Sequence, residues 1–147
     1  MDMMEIRRRV MEKMAKGKKF VSGTFTCGEE TTRRIEFGQT FNKYLYLLEL
    51  TDESKQALID SGISYTKTYA WAGIFPRCLI NGKTSNANSI GFRYTPETDE
   101  TITGSTGVIT LQSDYFEGYV RALSVSTGPT NYLIRGYSYN YIVVSLD

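Results

Sequence analysis

The sequence predicts a mainly β protein, an antiparallel β-sandwich of jelly-roll-like build with an amphipathic helix at its N-terminus. Three observations carry this. From residue 20 onward, short runs rich in Thr, Tyr, Val, Ile and Phe alternate with Gly, Asn, Ser and Pro, the vocabulary of strands and turns. Before Gly17, apolar residues recur at three- and four-residue steps, which is helical spacing. The chain has 147 residues, 41% of them hydrophobic and 22% charged, enough for one domain with its own core and too few for two ordinary ones.

The expected organisation is a basic helix over residues 1–19 and a sandwich domain over 20–147. In the first segment Met3, Met4, Ile6, Val10, Met11 and Met14 line one side, and Arg, Glu and Lys fill the gaps. Asp2 at the start and Lys16 at the end suit the helix dipole, and Gly17 is a natural stop. A helix this short is marginal alone in water. Its apolar seam, Met3, Ile6, Val10 and Met14, is therefore expected to dock on another copy or on a partner. The expected assembly is a closed homo-oligomer, with a trimer as the first choice.

The strands are expected at Phe20–Cys27, Thr32–Phe37, Lys43–Leu50, Thr66–Phe75, Arg77–Ile80, Ser89–Thr95, Gly107–Gln112, Tyr119–Val125, Tyr132–Arg135 and Ser138–Leu146. Asn81-Gly82 is a hairpin signal, because both residues tolerate positive φ. Thr103-Gly104-Ser105 and Thr127-Gly128-Pro129 read as turns. A second, short helix is expected after Thr51, which can cap it. Asp52 and Glu53 follow in its first turn, and Gly62 ends it.

Composition removes much chemistry. The chain has no His, so His-based acid–base catalysis, Ser-His-Asp and Cys-His nucleophiles and His-ligated metals are excluded. Two cysteines, Cys27 and Cys78, are too few for a Cys-rich zinc site. They read as buried small hydrophobes of a reducing cytoplasm. The net charge of +1 argues against a nucleic-acid binder. No apolar run is long enough to span a membrane. The adjacent carboxylates Glu29-Glu30, Asp52-Glu53 and Asp99-Glu100 are expected to be solvated loop or cap residues. Neighbours on a strand face opposite ways, so adjacency in sequence is no evidence that a pair flanks one sugar. The segment Pro96–Glu100 lacks the spacing of a calcium loop. The expectation is a protein without catalytic residues, metal or cofactor.

The aromatic residues are the more informative feature. Eleven Tyr, seven Phe and one Trp are present. Tyr44 and Tyr46 share a strand face with Leu48 and Leu50. Tyr137, Tyr139 and Tyr141 share a face opposite Ile142, Val144 and Leu146. Trp71 lies in the most hydrophobic strand and is expected in the core. For the Tyr137, Tyr139 and Tyr141 face two readings stand: a half-buried side of the sandwich, or a ligand surface for sugar or protein, since Tyr offers large contact area at low entropy cost.

Three stretches carry a resemblance: Lys18-Lys19-Phe20-Val21-Ser22-Gly23-Thr24-Phe25-Thr26, Tyr69-Ala70-Trp71-Ala72-Gly73-Ile74-Phe75-Pro76-Arg77, and the end from Gly136 to Asp147. In these the chain resembles small structural proteins, associated with tail, fibre or capsid, of tailed phages and prophages of gut Clostridia-type bacteria. The resemblance implies a virion component assembled in the bacterial host cytoplasm, with other virion proteins as partners and a cell-surface glycan as a further one. It supplies no catalytic residue. A stand-alone carbohydrate-binding module using exposed tyrosines is the alternative.

Overall fold

The computed structural model describes residues 3–14, 19–62, 67–78, 84–85, 89–95, 100–106, 109–124 and 132–147. The protein is mainly β, and its strands pair antiparallel with one exception. The order is α1 (Met3–Met14), β1 (Phe20–Thr26), β2 (Thr32–Glu36), β3 (Tyr44–Leu50), α2 (Asp52–Asp60), β4 (Lys67–Phe75), β5 (Arg77–Cys78), β6 (Thr84–Ser85), β7 (Ser89–Thr95), β8 (Glu100–Thr106), β9 (Ile109–Leu111), β10 (Tyr115–Arg121), β11 (Leu133–Ile134) and β12 (Ser138–Ser145).

The larger sheet has the order β1-β12-β3-β4-β7-β8. In the smaller sheet β10 is central, with β2 antiparallel to it, β9 antiparallel to its first half and β11 parallel to its end. β5 and β6 form a two-stranded antiparallel pair. The chain thus leaves the larger sheet for β2, returns for β3 and β4, leaves for the β5–β6 pair, returns for β7 and β8, and leaves again from β9 to β11 before closing with β12.

One hydrophobic core joins the sheets. It draws Phe25, Tyr44, Tyr46, Leu48, Trp71, Tyr139 and Val143 from the larger sheet and Ile35, Ile109, Leu111, Phe116 and Val120 from the smaller. Phe116 is the hub: its ring centroid lies 6.3 Å from Phe25, 6.1 Å from Tyr46 and 5.6 Å from Tyr141. Trp71 is fully buried, as its hydrophobic strand predicts.

The second helix forms as its signals dictate. The Thr51 hydroxyl accepts the Ser54 N–H at 3.2 Å, Asp52 and Glu53 occupy the first turn, and Gly62 follows the last turn at φ +72°. That left-handed conformation is open to glycine without Cβ strain. Leu58 of α2 is fully buried in the shared core, and the Ser54 hydroxyl accepts the Ser138 N–H at 2.8 Å.

Two expectations about strands are corrected. Thr103-Gly104-Ser105 is not a turn but the middle of β8, where Gly104 stands opposite Gly91. Pairing with β7 along its whole length overrides the local turn preference of Gly and Ser. The strand expected at Tyr119–Val125 starts four residues earlier, at Tyr115, and stops at Arg121. Gly118 lies in the part of the strand before Tyr119, on its core side. A Cβ at Gly118 would sit 2.8 Å from Ile109 Cδ1 and 3.1 Å from Leu133 Cδ1. The Asn81-Gly82 and Thr127-Gly128-Pro129 turns lie outside the described residues, as does the segment 96–99.

The outer face of the larger sheet carries a second, small apolar cluster of Ile142 and Val144 with Leu47 beside them. Two contacts place α1 against this face. Arg7 donates to the buried carboxylate of Glu49 on β3, and the Ser22 hydroxyl of β1 lies 3.4 Å from Glu12. Among the described residues no helix is long and apolar enough to cross a membrane.

Candidate functional site

The sequence-predicted ligand face resolves differently for each tyrosine. Tyr139 is fully buried, and its hydroxyl oxygen accepts the Ile134 backbone N–H at 2.9 Å. It stacks on Phe25 at 5.5 Å, so it belongs to the core and offers no ligand surface. Tyr137 and Tyr141 are half-buried and pack against the same core. Burial raises the pKa of all three phenols. The reason is register. β12 pairs on both sides, with β1 and β3, and its Tyr positions face the second sheet while Ile142 and Val144 lie on the opposite face with Leu47.

The expected docking seam is only partly visible. Ile6 is 43% exposed on α1. The side chains of Met3, Val10 and Met14 lie outside what the structure describes. Arg8 bridges Glu5 and Glu12 along the helix, and Arg9 reaches Glu5, so these charges largely serve the helix itself.

Two of the carboxylate pairs sit where expected, Glu29-Glu30 in the loop after β1 and Asp52-Glu53 in the first turn of α2; of the third, Asp99 lies outside the described residues and Glu100 opens β8 instead of lying in a loop. The Glu30 carboxylate accepts the Gly28 N–H, which with neighbouring Arg33 and Arg135 lowers its pKa. Glu29 is exposed, 3.9 Å from Arg135. Among the described residues no cluster of three His, Cys, Asp or Glu is placed to hold a metal ion. Cys27 is a free, buried thiol whose pKa is raised to about 11, first by burial and then by the nearby Glu30. It is not poised as a nucleophile.

Among the described residues, two of the concavities open to solvent bear on function. The larger, about 470 Å³, is a groove where α1 meets the outer face of the larger sheet and the start of α2. It is lined by Glu5, Thr24, Thr51, Asp52, Glu53, Ser138 and Asn140. Much of its polar lining is already committed: Thr24 pairs with Asn140 at 2.5 Å, Thr26 with Ser138 at 2.7 Å, and Thr51 caps α2.

The smaller, about 160 Å³, is a cleft on the outer face of the smaller sheet, lined by Thr32, Thr110, Glu117, Gly118 and Tyr119. The two-residue period of β10 builds it. Phe116, Gly118 and Val120 turn to the core while Tyr115, Glu117, Tyr119 and Arg121 turn outward. Cross-strand register sets Thr32 opposite Tyr119, and Arg34 and Thr110 on either side of Glu117. Arg34 Nε donates to Glu117 Oε2 at 2.7 Å, and the same guanidinium lies 3.9 Å over the Tyr115 ring. That ion pair and the stacking fix the carboxylate in place. Tyr119 is 59% exposed, the most exposed of the large hydrophobic side chains among the described residues.

Sequence reasoning missed this cleft. The signal was present in the alternation Tyr115-Phe116-Glu117-Gly118-Tyr119-Val120-Arg121, a strand with one apolar and one polar-aromatic face. A strand that begins only at Tyr119 leaves it out. The outline of the cleft is an exposed aromatic ring beside a positioned carboxylate and two threonine hydroxyls, an arrangement able to bind a polar ligand. No family model, no curated protein and no solved structure matches this chain.

Proposed function

We propose that this chain is a phage virion structural or host-attachment component, of the tail, fibre or capsid surface, built as a jelly-roll-like β-sandwich. It acts by assembly and binding and not by catalysis. The observation that supports the reading best is the outer face of the smaller sheet, where Tyr119 stands exposed beside the fixed Arg34–Glu117 pair. Large exposed aromatic side chains next to oriented polar groups are what recognition surfaces use. The N-terminal helix supplies the assembly side of the proposal, with Ile6 exposed on it and Met3, Val10 and Met14 sharing its seam by the helical spacing of the sequence. Several copies joined through such seams turn weak contacts into an intramolecular array.

The test is the protein composition of purified particles from a lysogen that carries this gene, read by mass spectrometry and by immunogold labelling. The chain is expected in the particles at a fixed copy number; its absence from them ends the virion reading. Light scattering of the purified chain is expected to give a closed oligomer, a trimer first, that Ile6→Asp with Val10→Asp reduces in size. A second reading, a stand-alone carbohydrate-binding module, draws on the same Tyr119 face and predicts a stable monomer.

A further inference from the structure

The cleft around Tyr119 has features that core packing does not need. The ring is mostly in solvent, and its hydroxyl has no hydrogen-bond partner among the described residues. The Glu117 carboxylate is held by Arg34 through one oxygen, Oε2, which leaves Oε1 to accept from a ligand. Thr32 and Thr110 are exposed and place a hydroxyl on each flank. At about 160 Å³ the cleft is well below the roughly 300–1,000 Å³ of sites that enclose drug-sized molecules. It has room for one small ring.

Charge narrows the ligand further. Arg34 already balances Glu117 across the strands, and the flanking outward residues Glu36 and Arg121 are of opposite sign. A phosphate-bearing ligand would meet the cleft's one lining charge, a carboxylate, with the same sign. A purely apolar ligand would strand Glu117 and both threonines without water. A ligand with a C–H face for the Tyr119 ring and hydroxyls around its rim satisfies both.

We propose that this cleft binds one ring of a neutral pyranose, its C–H face on Tyr119 and two of its hydroxyls donating to Glu117 and exchanging hydrogen bonds with Thr32 or Thr110. This names the ligand class for the binding role proposed above and rests on that reading. One ring on an open cleft binds at millimolar strength, and copies of the chain in one particle raise this by avidity.

The experiment is saturation-transfer-difference NMR on the full chain with methyl glucopyranoside, methyl galactopyranoside, methyl mannopyranoside and N-acetylglucosamine as probes. Transfer to the ring C–H protons of at least one is expected. It should be lost in Tyr119→Ala, kept in Tyr119→Phe, and weakened about tenfold in Glu117→Gln, where a neutral amide oxygen replaces the charged acceptor. Thermal unfolding of each variant checks that these surface changes leave the fold intact. Absence of transfer from every probe up to about 50 mM, well above the affinity of a single ring, overturns the inference, as does transfer unchanged in Tyr119→Ala. Particle composition is read separately, so a chain found in virions that binds none of the sugars removes this inference alone, and a sugar-binding chain absent from virions removes only the virion reading.

Discussion

Arg7 on α1 donates to the carboxylate of Glu49 on β3, and the two are 44% and 7% exposed. This pair ties the N-terminal helix to the outer face of the larger sheet beside Ile142 and Leu47. A carboxylate so enclosed needs a cation, because an unpaired buried charge is costly. Arg7→Ala is therefore expected to loosen α1 by about 1–2 kcal/mol, below the figure for a fully buried pair because Arg7 is nearly half in water. Hydrogen exchange of the amides in residues 3–14 reads this directly. Adding Glu49→Gln to Arg7→Ala should restore most of the protection; unchanged exchange in Arg7→Ala alone would remove the tether.

Burial raises the Glu49 pKa, with Arg7 and Lys55 pulling it back and Asp52 adding to the rise. The folded state therefore holds this proton more tightly than the unfolded state. Stability from this group is fully present below the ordinary carboxylate value of 4.5 and falls as pH climbs through the raised one. Urea unfolding of wild type and Glu49→Gln, compared from about pH 4.5 upward, should show wild type losing ground to the variant as pH rises. Glu5 and Glu30, whose pKa values are lowered by their hydrogen bonds, have the opposite slope at lower pH and cancel in the comparison. A difference independent of pH would refute the assignment.

Tyr139→Phe keeps the ring in place and strands the Ile134 N–H in the core. The expected cost is about 1–3 kcal/mol, read as a lower denaturation midpoint at constant slope. Tyr137→Phe, at a half-buried hydroxyl, serves as the control and should change little.

Gly118→Ala forces a methyl group between Ile109 and Leu133. Overpacking a filled core costs about 1–3 kcal/mol, which differential scanning calorimetry would register as a lower Tm. Shortening the neighbour in Gly118→Ala/Ile109→Val should recover part of the loss, and an additive double variant would contradict the contact.

Cys27, with its pKa raised to about 11, should stay unmodified by iodoacetamide at pH 8 in a Cys78→Ser background and react promptly in denaturant. Prompt reaction of the native protein would mean that the β1 end of the core opens.

The sequence alone determined that this is a β protein, because alternation of Thr, Val, Ile and aromatic residues between turn formers is a local signal. It likewise determined α2, whose cap at Thr51 and stop at Gly62 are written within a dozen residues, and the burial of Trp71. Only the tertiary structure decided which face of each strand is inside. Tyr137, Tyr139 and Tyr141 and the run from Tyr115 to Arg121 both present tyrosines on one face. Yet β12 sits between β1 and β3 with its tyrosines toward the second sheet, while β10 turns Phe116, Gly118 and Val120 inward and leaves Tyr119 in water. A strand's period of two fixes that its faces differ. The choice of the buried face depends on the partner sheet, and here the contacts of Phe116 with Phe25, Tyr46 and Tyr141 join residues far apart in the chain.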